Sequence, residues 1–438
     1  MADSPDKKLL KLKNIEAPGK ICEDFYIGEY KVRNEKYLPK YHGETTEDYN
    51  LRSTSTEFMN MYAPILEGIV GLVTKKDPEL EGLDIDDFKN LDLQHNGLAK
   101  VIQNAATASL NKGISFVVAM THTDNKTIFT KQFDYHDLYS YEIVDRELVQ
   151  IVFKETTEKK KGKFGLEVQE RFLVFEIGKG SVWFKDSPDG DIKEKPEMAW
   201  TNTLDKIPVI SIITGKVLSD FEIIPKLYDI ARMNMVHFNR EGNIANLINV
   251  CSNPIPVIYG DIGSDGLNVG PSRALKFTNK IEEGFEYVEV TGESMSIIQK
   301  KAEKSEQNID KLTFDLLNKN ESKTVIDAEE TRSKNTSFVK NFSDELETKF
   351  NILLGFILEL SPNMNSSKFK LTMKKDFDKE IINIELAKSA MDSGDMSRET
   401  FYVVLRTGQL PKDFKIEEEN DRINKELSAG PIEKEDES

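Results

Sequence analysis

Reactive side chains are sparse in this sequence, and none falls into a spacing that a known chemistry requires. His122-Thr123-Asp124 sets an imidazole two positions from a carboxylate, a pair that could begin a metal site. It directly follows the apolar run Ile114 to Met120 and precedes Asn125, so a polar hairpin turn is the better reading. Gly178-Lys179-Gly180-Ser181 and Gly215-Lys216 are the nearest approaches to a phosphate loop, but GxxxxGK[ST] does not occur. The first is flanked symmetrically by Phe172 to Ile177 and Val182 to Lys185, which again reads as a hairpin turn. HExxH, GxSxG and a serine-triad order are missing as well. Asp86-Asp87, Glu282-Glu283 and Glu329-Glu330 are paired carboxylates, yet the chain has 76 acidic residues, so such pairs read as solvated faces. His237 reads as a packed or solvated helix residue. No catalytic residue, cofactor or metal site is expected, and the chain is not read as an enzyme.

Lysines carry more information. Lys300, Lys301, Lys304, Lys311, Lys319 and Lys323 concentrate within one stretch. Lys300, Lys304 and Lys311 lie at i, i+4 and i+11, near one face of a helix. Two readings stay open: pairing with Glu303 and Glu306, or basic rings around a channel, which have meaning only in an oligomer.

These lysines lie within the stretch that organises the chain, Ser219 to Leu360. Ser219-Asp220 are N-cap types, with Pro225 within the first turns. Leu227, Ile230, Ala231, Met235 and Phe238 keep helical spacing, continued by Ile244 and Leu247. A helix from Ser219 to Asn249 would span roughly 45 Å. A compact β insert follows, with short runs at Val257-Ile258-Tyr259, Ala274 to Phe277 and Phe285 to Val290, punctuated by Gly260, Gly263, Gly266, Gly270 and Pro271. A second helix runs from near Gly292 to about Asn318, roughly 40 Å. Asn318, Lys319, Asn320, Glu321, Ser322 and Lys323 then form a break with no apolar residue. The last helix, Val325 to Leu360, is stopped by Ser361-Pro362.

Residues 1–40 are Lys/Glu-rich with scattered aromatics and read as an arm with little structure of its own. Helices are expected from Glu44 through Ile69 and over Leu91 to Leu110, the latter ended by the C-cap signature Asn111-Lys112-Gly113. Ile114 to Met120, Tyr141 to Val144, Leu148 to Phe153, Val168 to Glu176, Val182 to Lys185 and Val209 to Ile213 read as strands, with Glu155 to Lys163 a charged hairpin tip. This gives an α+β domain over about 41–215. Beyond the long helix come a strand at Lys368 to Lys374, helices at Ile381 to Met391 and Arg398 to Leu405 around Gly394, and an acidic end with one helix from Ile416 to Leu427.

The chain has 438 residues and a net charge of −17, which argues against a surface that grips nucleic acid broadly. Cys22 and Cys251 are its only cysteines, so a reducing compartment is the default. Met1 to Asn14 reads as neither a signal peptide nor an anchor, and no apolar run of 18 residues predicts a membrane span.

The order of these elements resembles the portal proteins of tailed bacteriophages and prophages. The wording is similar too: Tyr49-x-x-Arg52 with Asn60 and Gly71, Leu110-x-x-Gly113 before a strand, Ile207-Pro208-Val209 before the stem. Pro225-x-Leu227-x-Asp229-x-Ala231-x-x-Asn234-x-x-His237, and Asp376-Phe377-Asp378 followed by Gly394-x-Met396-Ser397, add to it. The resemblance covers about residues 41–427; the arm and the acidic tail have no counterpart. It implies an N-terminal arm (1–40), an α+β wing (41–218), a descending stem helix (219–250), a small β clip (251–292) and an ascending stem helix (293–318). A tunnel loop (319–324), a long wing helix (325–361), a small helical crown (362–415) and an acidic tail (416–438) complete it. The expected function is a ring, usually of twelve subunits, at one capsid vertex of the virion, assembled in the host cytoplasm. Double-stranded DNA would pass non-specifically through its channel, driven in by the terminase large subunit and later ejected. A head-completion adaptor and the major capsid and scaffolding proteins would be its other partners; no membrane is expected. Asn318 to Lys323 would line the channel as the tunnel loop, with Lys300, Lys304 and Lys311 as stem candidates. Asp261, Asp265, Arg273 and Lys276 would lie on the docking surface of the clip.

Other readings are a helical-hairpin scaffold of another kind, an enzyme with a site in the 114–215 sheet, and a nucleic-acid binder proper. The sheet region lacks a convergent His, Cys or carboxylate set, and the charge opposes the last.

Overall fold

The computed structural model describes residues 4–92, 94–121, 128–161, 163–185, 190–252, 255–259, 284–288, 296, 299–309, 325–361, 368–374, 384–407, 410 and 414–428. The chain divides into two compact units, Met1–Lys374 and Lys375–Ser438. The fold is α+β, as expected.

The first unit is built on two antiparallel sheets. β2 (Ile114–Thr121) lies between β3 (Ile128–Asp134) and β10 (Val209–Ile213). β4 (Leu138–Val144), β5 (Glu147–Lys161), β6 (Gly165–Glu176), β7 (Lys179–Lys185) and β8 (Ile192–Glu194) follow in that order in the second, with β9 (Trp200–Thr201) also pairing with β7. Period-two patterning sends Ile114, Phe116 and Val118 of β2 into the same core as Phe133, Phe153 and Phe175. Phe133 and Phe153 stack at 4.4 Å between ring centroids. The other face of β2, with Ser115, Val117 and Ala119, is buried too, against α6 (Leu98–Lys112) and α9 (Val325–Leu360). Gly113 ends α6 in the left-handed region at φ 84°, the C-cap read from sequence, and a Cβ there would sit 2.9 Å from Ile223. Gly178, at φ 73°, makes the expected β6–β7 turn.

The 1–40 arm is a correction. Its residues form α1 (Leu10–Asn14), α2 (Glu16–Ile27) and α3 (Glu29–Asn34), with Leu12, Cys22, Phe25 and Val32 fully buried. Leu12 and Ile15 belong to the sheet core, and the Leu9 N–H donates to the Tyr139 carbonyl at 2.8 Å. Apolar residues too few to build a domain alone fold here because they fill the surface of a larger one.

The helical region after Glu44 is broken into α4 (Thr46–Ser55) and α5 (Tyr62–Val73). Ser219-Asp220 do not cap the stem helix: Lys216–Ser219 (β11) pairs with Glu222–Ile224 (β12), and Asp220 takes φ 30° in the turn between them. The helix, α7, runs over Tyr228–Ser252. The charged tip Glu155 to Lys163 is mostly strand, paired out to Lys161 opposite Gly165.

The last long helix keeps its expected bounds. Val339, Phe342, Leu346, Phe350, Leu353, Leu354 and Ile357 line its buried stripe at helical spacing. β15 (Lys370–Thr372) was assigned to the crown but belongs to the first unit, where it pairs with β1 (Glu79–Glu81). Asn351 of α9 fastens it, accepting from the Leu371 N–H and donating to the Leu371 carbonyl, both at 2.9 Å.

The second unit holds α10 (Ile384–Ser393), α11 (Arg398–Thr407) and α12 (Ile416–Ser428). Gly394 turns the chain at φ 81°. The acidic end contributes to this unit. Glu419 of α12 is buried and accepts from the Ser397 N–H at 2.7 Å and the Thr400 hydroxyl at 2.6 Å, which satisfies donors at the start of α11. Burial opposes its charge, but these donors hold its carboxyl below the ordinary range.

Candidate channel and docking elements

α7, where the descending stem helix is expected, is anchored most densely over its first half. Leu227 just before it, then Ala231, Asn234, Phe238 and Gly242, face inward, three and four residues apart, and all are buried. Asn234 is fully buried and makes three hydrogen bonds to backbone groups. It donates to the Met59 carbonyl at 2.8 Å and accepts from the Met61 and Tyr62 N–H groups at 3.0 and 3.2 Å. Its amide thus satisfies orphan donors at the start of α5. Phe238 meets the Phe58 ring edge-on at 5.6 Å. Past Gly242 the helix loses cover: Ile244 and Leu247 are half-buried and Ile248 is 49% exposed.

The chain just after α3 clamps this first half. Leu38 lies against Gly242, where a Cβ would come within 2.5 Å of its Cδ1. The Tyr41 hydroxyl donates to the Asn243 side chain. Arg52 makes a bidentate pair with Glu44, both bonds at 2.8 Å, and donates to the Pro39 carbonyl at 2.7 Å. Its guanidinium lies 3.9 Å from the centre of the Tyr41 ring. Both partners are buried, and the guanidinium holds the Glu44 carboxyl below its ordinary range.

α8 is described over 299–309, and it runs antiparallel to α7, since His237 meets Glu306 while Arg240, further along α7, meets the earlier Lys301. His237 Nε2 lies 2.9 Å from Glu306 Oε1 and 3.6 Å from Glu241 Oε1. Its Nδ1 is buried without a partner, which puts the ring hydrogen on Nε2, donated to Glu306. Burial raises the Glu241 carboxyl, with His237 acting against it. Arg240 donates to the Lys301 carbonyl at 2.5 Å and to the Ser305 hydroxyl. Ala302, Ser305 and Ile309 form the buried stripe of α8.

Lys300 and Lys304 are exposed on this helix, away from that stripe. Glu306, one of the acids expected to pair with them, is engaged with His237 instead. Lys311 and the tunnel-loop residues Asn318, Lys319, Asn320, Glu321, Ser322 and Lys323 lie outside the described residues. So do Asp261, Asp265, Arg273 and Lys276 of the clip, and His122. Of the clip, β13 (Ile255–Tyr259) and β14 (Gly284–Val288) are described, and they pair antiparallel between α7 and α8 in the chain.

One polar cluster escaped the sequence reading. Lys112, at the end of α6, reaches Glu23 of α2 at 2.9 Å and Asp134 at 2.5 Å. His136 Nε2 lies 3.5 Å from Glu23. Asp137 accepts from the Asp134 N–H at 2.9 Å, and burial together with the Asp134 charge pushes its carboxyl up to about 7. Burial lowers His136, while for Lys112 the two carboxylates outweigh burial and raise its pKa. The residues come from three elements far apart in sequence, so no local spacing marks them. They tie α2 to the sheet. Among the described residues no group of His, Cys, Asp and Glu has the arrangement of a metal site, and no helix is long and apolar enough to cross a membrane.

A family model described as "Domain of unknown function (DUF4055)" matches residues 226–360, from just before α7 to the last residue of α9. No curated protein matches the chain. Among solved structures, a chain of the virion of a native gene transfer agent (GTA) particle is similar at a TM-score of 0.42 and 10% identity, covering 91% of this chain and 98% of that one. A chain from the neck of the empty GTA particle, computed with C6 symmetry, is similar at 0.42 and 10%, covering 86% and 97%. Another, from the neck of the native particle computed with C12 symmetry, gives 0.41 and 10%, covering 80% and 89%.

Proposed function

We propose that this chain is a portal-type subunit, a non-enzymatic protein of a phage-like virion whose copies close into a ring around a DNA channel. The observation that carries the reading is the stem. α7 is held rigidly over its first half by Asn234, Gly242 and the Arg52–Glu44 pair, then leaves Ile244, Leu247 and Ile248 without full cover. An antiparallel α8 lies beside it and a β hairpin joins the two along the chain. A helix pair with one anchored end and one uncovered apolar face calls for neighbours of the same kind. The order of elements read from the sequence supports the same conclusion.

In this reading the ring has twelve subunits, and Lys300 and Lys304 with Lys311 give basic girdles on the stem. Asn318 to Lys323 form the tunnel loop. Contacts of these lysines with phosphate are weak, salt-dependent and blind to sequence, so they guide DNA without driving it. The sequence has no nucleotide-binding loop, so the motor is another protein, a terminase docked on the clip through Asp261, Asp265, Arg273 and Lys276. A head-completion adaptor takes its place after packaging.

Native mass spectrometry and negative-stain microscopy of the purified chain test this. A closed ring with an axial opening is expected at micromolar concentration and near-physiological salt. Only monomer and dimer there would overturn the proposal and favour a scaffold of another kind.

A further inference from the structure

The hairpin of β5 and β6 runs on beyond the sheet that carries it. β4 pairs with β5 only as far as Phe153, and β7 with β6 only back to Glu170. From Thr157 outward the ladder pairs the two strands only with each other, to Lys161 opposite Gly165. The root is fixed by charge: Lys154 pairs with Glu170, and Glu155 with both Lys131 and Arg171. Beyond the root, alternation puts Leu166 and Val168 on one face, opposite Lys160 and Glu158, with Phe164 at the turn. These three apolar side chains are 62%, 61% and 89% exposed. A two-stranded ribbon has little stability of its own, and a bare apolar strand face is an association site unless covered. Lys160 and Lys163 are exposed beside them, with Glu158 on the same face, while Lys159 lies opposite Glu167 on the other face.

Its complement lies in the same sequence. Residues 77–87 carry Asp77, Glu79, Glu81, Asp84, Asp86 and Asp87, of which Glu79 pairs with Lys374 at 2.7 Å and Asp86 with Lys89 at 2.9 Å. A shallow groove there is lined by Leu80, Leu83, Asp84 and Ile85, and Ile85 is 46% exposed. This ledge is fixed in place. β1 pairs with β15, Gly82 at φ 77° leaves no room for a Cβ against the Lys368 carbonyl, and the Asp84 side chain accepts from the Asp86 N–H.

We propose that the tip of the β5–β6 hairpin is a clamp that seats on the 77–87 ledge of a second copy of this chain. Phe164, Leu166 and Val168 cover Leu83 and Ile85, and Lys160 and Lys163 face the acids. Copies with a net charge of −17 repel one another, so a basic clamp supplies attraction where the surfaces meet. The two surfaces differ, so the contact is heterologous and repeats around a ring. In that respect it rests on the ring reading above.

The test uses the full chain with Cys251→Ser; Cys22 is buried, and its thiol is pushed up to about 12, so it stays unreactive. Phe164→Cys and Ile85→Cys chains are mixed and oxidised. Cross-linked heterodimer is expected at least tenfold above either chain alone. Lys160→Glu and Lys163→Glu together should abolish it, and Asp77→Lys and Asp87→Lys on the partner should restore it. A closed ring in native mass spectrometry without the cross-link overturns the clamp and leaves the ring. The cross-link without a closed ring keeps the clamp and overturns the ring. A cross-link indifferent to the charge reversals, or one formed only within a chain carrying both cysteines, also overturns the clamp.

Discussion

The two halves of α7 carry apolar residues on different faces, and those residues meet opposite fates. From Leu227 to Gly242 each inward residue finds a partner in its own chain: an aromatic edge, a backbone amide, a leucine pressed on a glycine. Ile244, Leu247 and Ile248 lie a quarter to half a turn around the helix from that stripe, on the side of His237 and Arg240, and are without full cover. The difference teaches that helical period reports an apolar face but not who covers it. In the first half the cover is the N-terminal segment, whose side chains are individually unremarkable. In the second, the proposal assigns it to neighbouring copies.

Substitution can break this contrast, beginning where the anchorage is deepest. Arg52→Ala should cost about 3–5 kcal/mol, because it strands the buried Glu44 carboxylate. Denaturant unfolding measures it, and a loss below about 1 kcal/mol would mean the clamp does not hold the helix. Asn234→Ala should cost about 2 kcal/mol by taking their partner from the Met61 N–H and the Met59 carbonyl, while the Tyr62 N–H keeps Asn60.

Acid–base behaviour sharpens the same contrast from the other attachment of the N-terminal helices. Asp137 is raised to about 7, so its contribution is fully present below the ordinary carboxylate pKa and lost as pH rises through that value. Asp137→Asn should therefore match the parent near pH 4 and exceed it by on the order of 2 kcal/mol at pH 8. Thermal unfolding at the two pH values tests this, and a difference independent of pH would refute it. Glu44 and Glu419 run the other way: both are lowered, so their contributions are present above the ordinary carboxylate pKa and lost as pH falls through the folded value. The smallest effect on the single chain belongs to the uncovered half. Ile248→Ser should change monomer stability by less than about 0.5 kcal/mol yet reduce ring yield severalfold. An intact ring at normal yield would show that this face is not an interface.

Much of the fold was legible where one physical rule acts alone. α9 kept both expected ends, because its period is long and Ser361-Pro362 cannot continue it. The Gly113 C-cap and the Gly178 turn were readable because only a left-handed residue fits there. The failures come where one residue type serves two structures. Ser219 and Asp220 suit a helix cap and a hairpin turn equally, and the turn won because β11 and β12 pair across it. The charged run after Phe153 reads as a hairpin tip; cross-strand pairs such as Glu155 with Arg171 carry the strands far into it. The Lys112 cluster was invisible because Glu23, Lys112 and Asp134 meet only in three dimensions. The Lys300 and Lys304 ladder was seen, but nothing in its spacing revealed that Glu306 answers to His237.

The short pairing of β1 with β15 has a consequence for how the molecule is made. It joins Leu80 to Leu371, about 290 residues apart, and that loop is costly to close early. The acidic ledge therefore receives its last strand only after residues beyond α9 have left the ribosome. A nascent chain can assemble its sheets and helices during synthesis while its ledge still lacks its final support. Copies still under translation would then offer a hairpin but no finished seat for one. Release from the ribosome, rather than concentration alone, would set the moment at which subunits can begin to join.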